Sequence, residues 1–208
     1  MQLWRGYRHA LAQRNSVIRG SKDRRQVGFW TEQLAQNGEE IDARRREVVD
    51  SLNDSLQSSI LGAQIGMLRL AYQSGWRGGS LLQELEQSWA RDLELGYTGM
   101  GVHRADIRLN LESRDVTQRL SRGQLKVVCS EIMLGLGRFI RQKKKVWPVI
   151  MVDDIQAELD DTMRSLIVDK ILFAGGQKFF TAVNAVSIPE IFEEADMVFH
   201  VEQRNPGT

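Results

Sequence analysis

The chain has 208 residues, 42% hydrophobic and 26% charged, ordinary proportions for a globular protein large enough to bury a real core. With a formal net charge of +1, the field of the whole molecule says nothing about a partner. No apolar stretch is long enough to span a bilayer, residues 1–10 lack the apolar centre of a signal peptide, and a single cysteine, Cys129, excludes an internal disulfide. These features point to a cytoplasmic protein with no membrane partner, and Cys129, inside an apolar run, is expected to act as a small buried hydrophobe.

The charge is unevenly spread. Arg5, Arg8, Arg14, Arg19, Lys22, Arg24 and Arg25 come early, against Asp23 alone, and Asp153, Asp154, Glu158, Asp160 and Asp161 crowd a later stretch. Such asymmetry suggests a polyanion at one end and a cation site at the other, or else a solvated helix face. Trp4, Leu11 and Ile18 recur every seven residues, which predicts an opening helix. A second helical pattern runs through Ile41, Val48, Leu52, Leu56 and Ile60 until Gly62 and Gly66 break it. Residues 67–72 read as a strand and 75–79 as a turn. Ser80 and Gln83 have the spacing of a capping box, opening a helix through Leu82, Leu85 and Trp89. A boundary is expected near residue 95.

Beyond it the pattern changes to α/β. Ile107, Leu109 and Leu111 alternate with polar residues, as in a half-buried strand. A helix is predicted over residues 123–141. Residues 149–152 form an apolar run that stops at Asp153 and Asp154, which reads as a buried parallel strand. A helix over 162–172, a strand around Phe179 and Phe180, a short helix over 188–194 and a last strand over 197–201 complete the alternation. In such a layer, ligands bind at the carboxyl ends of the strands.

Two features carry chemistry. An apolar strand that delivers an acid to its carboxyl end suits nucleotide hydrolysis: Asp153 would hold Mg²⁺ and Asp154 would orient or deprotonate the attacking water. Two aspartates after a strand can also simply begin a loop. Ser121, Gly123 and Gln124 at a helix start offer a hydroxyl, close backbone N–H groups and the positive end of a helix dipole, a set suited to a γ-phosphate. An ordinary N-cap accounts for Ser121 but not for Gly123 and Gln124 together.

In this order the motifs resemble the signature loop and acidic strand end of an ABC-type ATPase head. Ala157, Glu158, Leu159 and Asp160 resemble the loop such heads place at their dimer interface, and Thr181 the polar strand end set against the γ-phosphate. Within that class the chain is similar to the C-terminal part of the RecF family of bacterial recombination mediators. The likeness rests on Leu11, Gln13-Arg14-Asn15, Trp30, Gln33-Leu34-Ala35 and Gly38, then Gly75-Trp76 and Gly101-Val102-His103-Arg104-Ala105-Asp106. It continues through Leu120-Ser121-Arg122-Gly123-Gln124-Leu125-Lys126, Asp153-Asp154, Glu158-Leu159-Asp160 and Val201-Glu202-Gln203. Val102 departs from the family's Gly-Pro-His-Arg, and Lys143-Lys144-Lys145 is more basic than the family pattern.

The resemblance implies an α/β fold, the C-terminal part of an ABC-type ATPase head (residues 96–208) with an inserted helical arm lobe (residues 1–95). It implies ATP and Mg²⁺ as cofactors and an ATP-dependent homodimer. Asp153 would hold the metal and Asp154 would be the catalytic carboxylate. Ser121, Arg122, Gly123, Gln124, Asp160 and Thr181 would surround nucleotide, with Ser121, Gly123 and Gln124 reaching the one held by the opposite subunit. Arg14, Arg19, Lys22, Arg24 and Arg25 would contact DNA phosphates. RecR, indirectly RecO, and RecA loading at single-strand gaps would follow as partners and outcome.

The phosphate-binding pattern G-x-x-x-x-G-K-[ST] does not occur in these residues, and Gly175-Gly176-Gln177-Lys178 has the wrong spacing for it. The expectation is a truncated RecF that alone holds no ATP, hydrolyses none and folds poorly because its sheet edges are open. A nucleotide-independent DNA- or RecR-binding module derived from RecF, and an ABC or SMC-like head of another system, are the alternatives.

Overall fold

The computed structural model describes residues 2–111, 114–116, 119–154, 159–182, 191 and 193–201. The chain divides into two compact units, Met1–Gln57 with Gly66–Gln118, and Ser58–Ile65 with Arg119–Thr208. The division therefore falls at residue 118 rather than near 95. The reason is strand pairing: β1 (Leu68–Gln73) runs antiparallel to β2 (Asp106–Leu111), with Leu68 opposite Leu111, so residues beyond 95 are held to the first unit by a ladder.

In the first unit, α1 (Gln2–Arg19) and α2 (Arg24–Leu56) pack together. Tyr7, Ala10, Arg14 and Ile18 form the buried stripe of α1 at helical spacing, and Val27, Thr31, Leu34, Ala35 and Ile41 that of α2. Asp23 caps α2 by accepting from Arg25 N–H at 2.8 Å. That helix ends at Leu56, before the glycines expected to break it, and Ile60 lies outside it.

Two short helices follow in this unit, α4 (Leu81–Gln87) packed on α2 and α5 (Trp89–Leu95) packed on α1; α3 (Gly62–Ile65) belongs to the second unit. The capping box expected from Ser80 and Gln83 is not formed: Ser80 is the N-cap residue, but its side chain caps nothing. Glu39 of α2 supplies the acceptor instead, taking Leu81 N–H at 2.7 Å and the Ser80 hydroxyl at 3.3 Å. Gly75 has φ +90°, and a Cβ there would lie 2.3 Å from the Gly101 carbonyl oxygen. Its own carbonyl accepts from Gly101 N–H at 3.2 Å, so this close backbone contact admits only glycine. β3 (Arg114–Asp115) extends the sheet beyond β2.

The second unit is built on α6 (Arg122–Lys144) and α7 (Asp161–Phe173). Val127, Val128 and Leu134 of the first and Ile167, Val168 and Ile171 of the second are buried, together with Leu61. Glu131 is buried among them and fully engaged. It accepts from Ser59 Oγ at 2.6 Å, Ile60 N–H at 2.8 Å and Lys170 Nζ at 2.6 Å. These bonds tie the residue 58–65 segment to both helices. Cys129 is exposed, contrary to expectation, because the inward stripe of α6 runs through Val127, Val128, Glu131 and Leu134.

β4 (Ile150–Val152) and β5 (Lys178–Phe180) pair in parallel, with Val152 opposite Phe180. The parallel pairing follows the sequence expectation, but the burial does not: Met151 is 81% exposed. Among the described residues nothing covers that face of the pair. Residues 197–201 form no strand, since they find no backbone ladder among the described residues. Most of the helix expected over 188–194 lies outside the described residues, as do Ala157, Glu158, Glu202 and Gln203.

Candidate functional site

The carboxyl ends of β4 and β5 carry the first cluster. Trp147 sets the approach to both strands, because its indole lies where a Cβ on Gly175 would be, 2.4 Å from Nε1. The glycines of residues 175–176 are thus a packing surface for tryptophan. The ladder continues past the strands, with Thr181 N–H donating to the Val152 carbonyl at 2.9 Å. The Thr181 hydroxyl then donates to Asp153 Oδ1 and accepts from Asp154 N–H at 3.1 Å. Lys126, in the second turn of α6, donates to the Asp154 carbonyl at 2.9 Å.

Asp153, Asp154 and Thr181 are all exposed, and Asp154 holds a left-handed φ of +44°, unusual for a residue with a side chain. Two carboxylates and a hydroxyl are hard oxygen donors. Among the described residues there is no group of three or more acidic, histidine or cysteine side chains able to hold a metal. The set therefore does not match an all-protein cage. It matches the habit of Mg²⁺, which takes one or two carboxylates and completes its shell with water and substrate phosphate.

The second cluster is the start of α6. Ser121 and Gln124 form a complete capping box, with Gln124 N–H donating to Ser121 Oγ at 3.2 Å and Ser121 N–H to Gln124 Oε1 at 2.9 Å. Capping therefore accounts for Gln124 as well as Ser121, a point the spacing Ser-x-x-Gln already contained. Asp160 caps α7 in the same manner, accepting from Met163 N–H at 2.9 Å. Ser121, Arg122, Gly123, Gln124 and Asp160 line one groove of about 530 Å³, floored by Leu61 and Val127. Two capped helix starts thus open on one depression, with Ser121, Arg122 and Asp160 exposed at its edge.

The five basic residues expected to meet DNA separate into two kinds. Arg19, Lys22, Arg24 and Arg25 are exposed around the connection between α1 and α2. Arg14 is not: it is buried and ion-paired with Asp92 at 2.7 Å. Its helical phase turns it toward α5, so its guanidinium meets protein rather than solvent. Neighbouring Asn15 is a structural residue too, accepting Thr98 N–H at 2.8 Å and the Thr98 hydroxyl at 2.7 Å.

His103 occupies a similar interior position. Its Nε2 faces the Thr98 carbonyl at 3.3 Å, which requires a proton there, so Nδ1 accepts from the Tyr7 hydroxyl at 2.7 Å. Burial lowers the His103 pKa and pushes Tyr7 up to about 12.

No family model matches the chain. It is 32% identical over 206 residues to the DNA replication and repair protein RecF of Shewanella frigidimarina, an alignment covering 97% of this chain and 57% of that protein. The RecF of Shewanella halifaxensis is 31% identical over 204 residues, 96% of this chain and 56% of that one. The chain spans little more than half the length of these relatives. Two solved structures share its fold. One, described as the recombination mediator protein RecF-ATP in the RecFOR pathway, has a TM-score of 0.73 at 21% identity, over 88% of this chain and 52% of that one. The other, RecF-ATPrS, has a TM-score of 0.72 at 20% identity, over 88% and 53%.

Proposed function

We propose that this chain, which is 32% identical to a RecF and spans 57% of its length, is a RecF-like DNA replication and repair protein whose second unit takes part in an ATP–Mg²⁺ site. The observation that carries this reading is the convergence of Asp153, Asp154 and Thr181 at the carboxyl ends of two adjacent parallel strands. Asp153 is the metal ligand and Asp154 the carboxylate that orients the attacking water, with Thr181 holding both in place. The groove of Ser121, Arg122, Gly123, Gln124 and Asp160 serves a nucleotide held by the second subunit of a homodimer. Its helix starts supply N–H groups and positive dipole ends suited to phosphate.

The first unit meets DNA through Arg19, Lys22, Arg24 and Arg25, in the cytoplasm, with RecR, and indirectly RecO and RecA, as the protein partners. Phosphate contacts of this kind release counterions, so affinity falls steeply with salt. A second reading is a nucleotide-independent DNA- or RecR-binding module, for which the exposed Arg19, Lys22, Arg24 and Arg25 would suffice. DNA affinity separates the two. It is measured against salt with the chain alone, and again with a RecF-type phosphate-loop segment supplied, with and without Mg²⁺–ATP. Tightening by ATP in the combined sample supports the nucleotide-linked reading. Equal affinity in all samples supports the module. No binding in any sample contradicts both.

A further inference from the structure

We propose that the groove at the connected ends of α1 and α2 is a subsite for one unpaired nucleobase, with the Phe29 ring as its stacking platform. The proposal rests on the reading that the exposed cations of this hairpin hold DNA phosphates, and adds to it a contact with a base.

Two helical stripes face the groove. α1 brings Gln13, Ser16 and Val17, and α2 brings Gln26, Phe29 and Trp30, each set spaced three and four apart. The space between them is about 530 Å³, large enough for a heterocycle. Phe29 is 56% exposed, although its neighbours Val27 and Thr31 are buried in the hairpin. It is not loosely displayed. Trp30 packs against it in a T-shaped arrangement, ring centroids 4.9 Å apart and planes at 76°, and His9 meets Trp30 in the same manner at 5.4 Å. An aromatic ring packed against a neighbour yet more than half exposed loses little entropy when a flat ligand stacks on it.

The remaining groove chemistry favours a base over a protein helix. The lining residues are uncharged; half are amides or hydroxyls, and Val17 alone among them is aliphatic. Gln13 and Gln26 each carry a donor and an acceptor, which suit base edges. The Ser21 hydroxyl donates to Gln26 Oε1 at 3.2 Å and orients that amide. Lys22, Arg24 and Arg25 follow directly in the chain and are exposed. Of the acids nearby, Asp23 has its carboxylate engaged in capping α2, and Glu32 is exposed one turn beyond Phe29 on the same helix. Stacking ring, amide edges and a cationic flank form the recognition set of single-stranded nucleic acid.

The test uses the purified chain with fluorescent oligothymidylate, a duplex of equal length, and a single strand carrying 2-aminopurine, whose emission is quenched by stacking. Phe29→Ala should weaken single-strand affinity about tenfold, in the range measured for loss of one base–aromatic stack, and leave duplex affinity unchanged. Phe29→Trp should keep single-strand affinity, and quenching should be seen with the native chain but not with Phe29→Ala. Since the Phe29 ring is outside the buried core, its removal leaves the fold intact, which circular dichroism checks. Unchanged single-strand affinity and quenching in Phe29→Ala overturn the subsite and leave the patch as a protein-docking face. The double variant Arg24→Glu, Arg25→Glu separates the two levels. If it weakens both DNAs while Phe29→Ala weakens neither, the phosphate contacts stand and the base subsite falls. If the native chain binds neither DNA, both fall.

Discussion

Arg14 and Asp92 form a closed ion pair, Nη1 to Oδ2 at 2.7 Å, with each side chain only 1% exposed. The guanidinium also donates to Thr31 Oγ1 at 3.0 Å, Thr98 Oγ1 at 2.7 Å and the Leu85 carbonyl at 3.2 Å. Asp92 in turn accepts from Gly99 N–H at 2.9 Å and the Ser88 hydroxyl at 3.2 Å. The pair therefore joins α1, α2 and α5 with its hydrogen bonds satisfied. Removing one partner leaves the other charge buried alone, which costs about 3–5 kcal/mol. Arg14→Ala should show a loss of this size in urea denaturation, and Asp92→Ala a similar one. The double variant should lose less than the sum. DNA affinity per folded molecule should be unaffected by Arg14→Ala. A stable Arg14→Ala chain that has lost DNA binding would instead restore Arg14 to the DNA surface.

The Tyr7–His103–Thr98 chain predicts a pH window. The folded pKa of His103 lies below its ordinary 6.5, so the unfolded chain binds more protons as pH falls past that value. Stability from this group is complete above 6.5 and is lost as pH drops through the folded value. Tyr7 works in the opposite direction: its folded pKa of about 12 exceeds the ordinary 10.0, so its contribution is complete below 10.0 and lost toward 12. Denaturation midpoints measured across pH should fall at both ends. His103→Gln should flatten the acid side and Tyr7→Phe the alkaline side. An acid limb unchanged by His103→Gln would show that other groups carry it.

Glu39 supplies from α2 the cap that Ser80 does not make. Glu39→Ala should cost about 1 kcal/mol, the ordinary worth of an N-cap, and Ser80→Ala distinctly less. Chemical denaturation of the two variants gives the order. The reverse order would mean that Ser80 caps α4 in solution.

Gly75→Ala should be far worse than Gly79→Ala. Both have positive φ, but a Cβ at Gly75 meets backbone at 2.3 Å while at Gly79 it meets open space. The second change should cost about 1–2 kcal/mol from backbone conformation alone. The first adds an overlap that neither strand β1 nor the Gly101 turn can relieve by rotating a side chain. Thermal melts of the pair measure the difference, and equal melting points would contradict the close contact.

These residues show what a sequence can disclose. Periodicity placed α1, most of α2, β2 and α6, but not every residue it marked is inward: Ile18 and Leu109 are buried, whereas Trp4 and Ile107 are exposed. Ser-x-x-Gln occurs twice, at 80–83 and 121–124, yet only the second forms a capping box. The difference is Glu39, 42 residues from Leu81 in sequence, and no local pattern reveals that competitor. Arg14 was misplaced for the same reason, since its partner Asp92 is 78 residues away. The acidic strand end was legible because strand, Asp153 and Asp154 are contiguous, and Thr181 could be attached to it only by the family resemblance. Its hydroxyl bridge to both aspartates needed the parallel register of Val152 and Phe180. Phe29 carries no motif, although its place midway between the buried Val27 and Thr31 turns its ring away from the inward stripe of α2.

ATP turnover tests the nucleotide reading most directly, measured with the chain alone, with a RecF-type phosphate-loop segment supplied, and with Asp154→Asn in that combination. The expected result is no turnover from the chain alone, turnover from the combination, and its loss in Asp154→Asn with ATP binding retained. Turnover by the chain alone that Asp154→Asn abolishes, or turnover of the combination that Asp154→Asn leaves untouched, would contradict the assignment.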